Sequence, residues 1–128
     1  MARRVKDVVI EEPGRDTNKV FRLTEMPASV AERWAIKFFL ALGRSGIDVP
    51  DNLSESGMAG VASFSIKALS SLTYDELAPL LDEMFSYIRI IPDPSKDFAR
   101  NLVEDDTEEV MTRISLRKEM FFLHTNFS

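Results

Sequence analysis

The chain has 128 residues, of which 45% are hydrophobic and 29% charged, and its formal net charge is −5. This size and composition predict one globular domain, residues 1–128, and argue against wholesale disorder. The absence of cysteine excludes disulfides, thiolate metal sites and cysteine nucleophiles. An acidic surface repels phosphate, so we expect no nucleic-acid partner. No apolar run approaches the roughly 20 residues that a membrane helix needs, and no secretory signal is visible, so we expect no membrane partner.

The N-terminal segment has the composition of a β-hairpin. Residues 5–10 and 19–24 are rich in β-branched and apolar side chains, and Pro13-Gly14 between them is a turn signal. In the second strand, Phe21 and Leu23 fall on one face because side chains alternate along a strand. We therefore expect that face to pack on helices.

The next part of the chain predicts two or three helices. Pro27 marks the start of the first, and Gly43 and Gly46 are its stop signals. Residues 51–70 predict a second helix with many small residues, or two shorter helices with a break near Gly57.

The C-terminal half predicts two further helices. Thr73 and Glu76 have capping-box spacing, and an apolar stripe of helical period follows as far as Ile88. Two closely spaced prolines then predict a loop to Asp105, where an acidic first turn opens the last helix. The predicted fold is α+β and mainly α: a compact bundle of four or five helices in residues 28–128, with a small hairpin in residues 1–25.

Few residues are suited to catalysis. His124 is the only histidine, and its place near the chain end is typical of a surface residue. Glu104, Asp105 and Asp106 could hold Mg²⁺ or Ca²⁺ for a metal-assisted hydrolase, but they lack the alternating ligand spacing and central glycine of a calcium loop. An acidic helix start explains every one of these residues and is the favoured interpretation. We expect no enzyme activity, no metal and no cofactor.

The C-terminus carries the most distinctive signal, which is hydrophobic. Apolar residues begin on one side of the last helix, at Val110, Met111 and Ile114, and then spread around it. The crowded residues near its end are our predicted partner-binding residues: Met120, Phe121, Phe122, Leu123 and Phe127. A helix that is apolar on all sides must be buried on all sides. Either this helix docks centrally in the core, or a partner or a second copy covers the excess surface.

Several stretches resemble tail assembly chaperones of long-tailed bacteriophages. They are residues 20–28 (VFRLTEMPA), 31–35 (AERWA), 102–106 (LVEDD) and 123–128 (LHTNFS). The resemblance runs from about residue 19 to the C-terminus and contains no catalytic motif.

This resemblance implies a function and a set of partners. Such chaperones bind the long helical tape measure protein, keep it soluble and help bring tail tube subunits onto it. They act in the bacterial host cytoplasm and are absent from the mature virion. The alternative is a minor structural virion protein, such as a tail completion or connector component. Self-association is the competing use of the same apolar surface.

Overall fold

A computed structural model describes residues 3–46 and 70–125 of the chain. These residues form three α-helices and a four-stranded antiparallel sheet. In chain order the elements are β1 (Val5–Val9), β2 (Val20–Thr24), α1 (Ala28–Ser45), α2 (Tyr74–Phe85), β3 (Ile88–Ile91), β4 (Arg100–Asn101), a 3-10 turn (Glu104–Asp106) and α3 (Val110–Thr125). No helix among them combines the length and apolar character needed to cross a membrane.

The predicted N-terminal hairpin is present as β1 and β2. The two strands pair antiparallel, with Val8 opposite Phe21 and Lys6 opposite Leu23. Phe21 and Leu23 are both fully buried, as the alternation in β2 predicted, while the intervening Arg22 is partly exposed. One face of β2 therefore belongs to the core.

The prediction of a four- or five-helix bundle was wrong, because the hairpin is half of a larger sheet. β3 pairs with β2, which places Ile88 opposite Leu23 and Ile90 opposite Phe21, and β4 pairs with β3. The sequence had suggested that Ile88 was the last position of a helical stripe and that a loop followed it. Ile88, Ile90 and Ile91 are β-branched, and their burial against β2 favours a strand over a further helical turn.

The described residues divide into two compact units. One consists of residues 3–26 and 83–124, and the other mainly of residues 27–46 and 70–82, so that the division falls within α2.

In the second unit, the α1 residue Trp34 donates its indole N–H to the Leu80 carbonyl of α2 at 2.8 Å. The ring of Trp34 also stacks on Phe38 at 5.3 Å between centroids. α1 begins directly after Pro27 and ends at Gly46, which takes the left-handed conformation that ends many helices (φ 87°).

The capping box predicted at the start of α2 is present. The Glu76 amide donates to the Thr73 hydroxyl at 3.2 Å, and the Thr73 amide donates to the Glu76 carboxylate at 3.1 Å. These bonds satisfy amide groups at the helix start that have no partner within the helix. The amide and hydroxyl of Thr73 hold the pKa of Glu76 below its usual range.

α3 begins at Val110 rather than at Asp105, and a residue distant in the sequence caps it. Asp16, in the loop between β1 and β2, accepts hydrogen bonds from the amides of Glu108 and Glu109 at 2.9–3.0 Å and from the Lys19 ammonium at 2.8 Å. Asp16 is only 1% exposed. Burial by itself raises the pKa of Asp16, but the bonds from Lys19, Thr112 and the two amides outweigh it, so the pKa lies below its ordinary value.

Two sequence predictions lie outside the described residues. They are the second helix at residues 51–70, with its alternative break near Gly57, and the C-terminal Phe127.

Candidate protein-binding surface

The inward side of α3 is a stripe of helical period. Thr112, Leu116 and Met120 are spaced four residues apart and are 5%, 0% and 0% exposed. Residues at this spacing lie on one face of a helix, so this stripe is the face that packs into the domain.

The opposite side of α3 is also apolar. Val110, Met111 and Ile114 are 72%, 62% and 52% exposed. Spacings of three and four residues continue this side toward the C-terminal end of the helix. We call this surface the outer α3 face and define it by six residues: Val110, Met111, Ile114, Lys118, Phe121 and Phe122.

The structure distributes the predicted partner-binding residues over both sides of α3. Met120 is fully buried on the inward stripe. Phe121, Phe122 and Leu123 are half-buried. The two phenylalanine rings meet edge to face, with 6.3 Å between centroids and an interplanar angle of 60°. Phe127 is outside the described residues, so the binding role of the cluster remains a prediction.

The sequence pattern places Val110, Met111 and Ile114 on one side of the helix but does not predict that they face solvent. Their one-sided arrangement is typical of a packed helix face. The inward stripe contains the polar Thr112, so the sequence does not present it as a continuous apolar face. Leu116 and Met120 are four residues apart and therefore share the other face of the helix. Had that face been taken as the buried one, Val110, Met111 and Ile114 would have been predicted to be exposed.

The outer α3 face contains one basic group, and charged groups of both signs flank it. The exposed Lys118 places its ammonium 6.0 Å from the centre of the Phe122 ring. On one flank of α3, the guanidinium groups of Arg113 and Arg117 lie over the Phe85 ring at 4.5 and 4.6 Å. On the other flank, Glu119 is 2.6 Å from Lys6, which offsets its charge. Lys118 is therefore the basic group that lies within the outer α3 face itself.

His124 has a structural role at the end of α3. Its Nε2 accepts a hydrogen bond from the Met26 amide at 3.0 Å, and its Nδ1 lies 2.9 Å from the Met120 carbonyl. A neutral imidazole with its proton on Nδ1 satisfies both contacts. The ring therefore joins the segment that follows β2 to the C-terminal turn of α3.

The acidic cluster does not form a site with converging carboxylates. Asp106 is 7% exposed and binds the Arg100 guanidinium through both oxygens, at 2.8 and 2.9 Å. These bonds hold the pKa of Asp106 below its usual range. Glu104 and Asp105 remain exposed. Within residues 3–46 and 70–125, no group of three or more potential ligands is arranged to hold a metal ion.

Comparison with known proteins found no matching protein-family model, curated protein or solved structure.

Proposed function

We propose that this chain is a tail assembly chaperone of a long-tailed bacteriophage. It binds the tape measure protein, keeps it soluble and helps recruit tail tube subunits during tail assembly. The proposal places this activity in the bacterial host cytoplasm and requires the chaperone to be absent from the mature virion. Its action is reversible binding and includes no covalent step.

The exposed apolar side chains of the outer α3 face are the observation that carries this proposal. Three large apolar residues, Val110, Met111 and Ile114, are more than half exposed within two turns of one helix. Contiguous apolar surface of this kind is typical of interaction sites, whereas single exposed apolar residues are ordinary. α1 exposes a smaller pair, Ile36 and Leu40, one turn apart. The sequence resemblance suggests the chaperone family, and the exposed apolar face supports the binding of another protein.

The tape measure protein is a suitable partner on chemical grounds. The resemblance implies a long helical protein, and an unpaired amphipathic helix aggregates through its apolar stripe unless another surface covers it. The net charge of −5 helps to keep such a complex soluble, because like-charged complexes repel one another.

Co-expression with the tape measure protein of the same phage tests the proposal. We expect the soluble fraction of the tape measure protein to rise several-fold and the two proteins to purify together. An unrelated acidic protein of similar size is the control. If the tape measure protein is equally soluble and unbound with or without this chain, the proposal fails.

Mass spectrometry of purified virions separates the chaperone from the structural alternative. The chaperone proposal requires the chain to be absent from particles while it is abundant in the infected cell. A fixed number of copies in each particle would instead indicate a tail completion or connector component.

A further inference from the structure

We infer that the outer α3 face binds an amphipathic helix of another protein whose apolar stripe is accompanied by acidic residues. This inference rests on the proposed function, in that the partner is taken to be a helical protein other than a second copy of this chain. It adds the surface that is used and the charge of the helix that fits it.

The length and shape of the outer α3 face suit a helix. It extends from Val110 to Phe122, which is about 18 Å along the helix axis at 1.5 Å per residue. Helices that bind to such a surface present residues at three- and four-residue spacing. The half-buried Phe121 and Phe122 lie at one end of the face. Phenylalanine is among the aromatic residues that are enriched in protein–protein interfaces.

The positive charge of Lys118, near the centre of the outer α3 face, favours a partner that carries negative charge. Lys118 lies between Ile114 and Phe122 in the stripe, is exposed, and forms no salt bridge with the described residues. A partner that covers the apolar residues must also place a group near this ammonium. An acidic side chain there gains attraction, and a basic one is repelled.

The same lysine argues against a second copy as the occupant. A symmetric dimer brings the same patch of both subunits together. Lys118 is close to the middle of the face, so parallel and antiparallel pairing both bring the two Lys118 ammonium groups near each other. Like charges in such an interface are destabilising, whereas a different helix can supply the complementary carboxylate.

Synthetic helices of defined charge test the inference without the tape measure protein. We would use stapled 21-residue peptides with a leucine stripe that differ at one central position on the stripe, which holds Glu, Gln or Lys. Stapling fixes the helix, so that the affinities report contact rather than folding. We expect the Glu peptide to bind the full chain most tightly in fluorescence anisotropy and the Lys peptide to bind at least about tenfold more weakly.

Two variants and a matched control assign the binding to the face. Ile114→Asp should abolish binding of the Glu peptide, and Lys118→Glu should reverse the preference in favour of the Lys peptide. Val9→Asp, on β1, is the control, because Val9 is 51% exposed and Ile114 is 52% exposed. Circular dichroism confirms that each variant is folded.

Three results would overturn the inference. The first is equal affinity for the Glu and Lys peptides, or no binding of either. The second is binding that survives Ile114→Asp, and the third is a sedimentation-detected dimer that Ile114→Asp dissociates. If co-expression succeeds and the peptides fail, the proposed function stands and this surface is wrong. The reverse outcome retains the surface and rejects the tape measure protein as its partner.

Discussion

Asp16 offers the sharpest test of how the fold positions α3. Asp16→Ala removes the acceptor for the amides of Glu108 and Glu109, which then remain without a partner at the helix start. Lys19 also donates to the Asp106 carbonyl at 3.1 Å, so the ammonium keeps one bond. A lost helix cap costs about 0.5–2 kcal/mol, and hydrogen bonds to a charged group are worth about 1.5–3 kcal/mol each without being additive. We expect a loss of about 3 kcal/mol in the free energy of unfolding.

Urea denaturation followed by circular dichroism measures this loss. At about 4 °C per kcal/mol, the corresponding fall in the melting temperature is about 12 °C. Asp105→Ala is the matched control, because Asp105 is exposed and its substitution should change stability by no more than about 0.5 kcal/mol. If the two variants lose similar stability, the capping role assigned to Asp16 is incorrect.

The pH dependence of this cap has a defined sign. The pKa of Asp16 is lower in the folded protein than its ordinary value, so the unfolded chain takes up the proton first as pH falls. The stabilisation by the carboxylate is complete above the unfolded pKa of about 3.9 and is lost as pH falls through the lower folded pKa. The stability difference between wild type and Asp16→Asn should therefore be constant from pH 7 to pH 5 and shrink below about pH 4. A difference that grows in acid would contradict this sign.

The remaining predictions concern three other hydrogen bonds. His124→Ala leaves the Met26 amide without its acceptor and should cost about 1–3 kcal/mol in urea denaturation, with part of the loss recovered in His124→Gln. Thr73→Ala removes the hydroxyl that accepts a hydrogen bond from the Glu76 amide at the start of α2 and should lower the free energy of unfolding by about 1 kcal/mol. Substitution of a threonine outside a cap should be near neutral. Trp34→Phe keeps an aromatic ring but loses the indole N–H bond to α2 and should cost about 1 kcal/mol by thermal denaturation. A melting temperature unchanged from wild type in any of these variants would mean that its bond contributes nothing to stability.

Features fixed by neighbouring residues were predictable from the sequence. The hairpin follows from two β-branched segments around a turn, and the cap of α2 follows from the spacing of Thr73 and Glu76. The end of α1 at Gly46 follows from the backbone freedom of glycine. In each case the interacting groups lie within a few residues or pair directly across a turn.

Features that join distant segments were not predictable in the same way. β3 exists because Ile88 and Ile90 pair with strand residues more than 60 positions earlier, and no local pattern identifies that partner. The start of α3 depends on Asp16, 92 residues before Glu108. Local acidic residues predicted the start of α3 five residues too early, because Asp106 is instead bound to Arg100.

The exposed side of α3 also could not be predicted from local sequence. The sequence indicates that α3 has more apolar residues than one helix face can hold. Which side faces inward depends on what the sheet and loops place against the helix. Leu116 and Met120 occupy the buried side, and this leaves Val110, Met111 and Ile114 exposed.

Site-specific photocrosslinking most directly tests whether the outer α3 face holds the tape measure protein. The crosslinker p-benzoylphenylalanine would replace Ile114 in one protein and the similarly exposed Val9 in another, each co-expressed with the tape measure protein. We expect a strong crosslink from position 114, which maps to an acidic amphipathic helix, and little from position 9. Equal crosslinking from both positions, or crosslinking from position 9 alone, would contradict it.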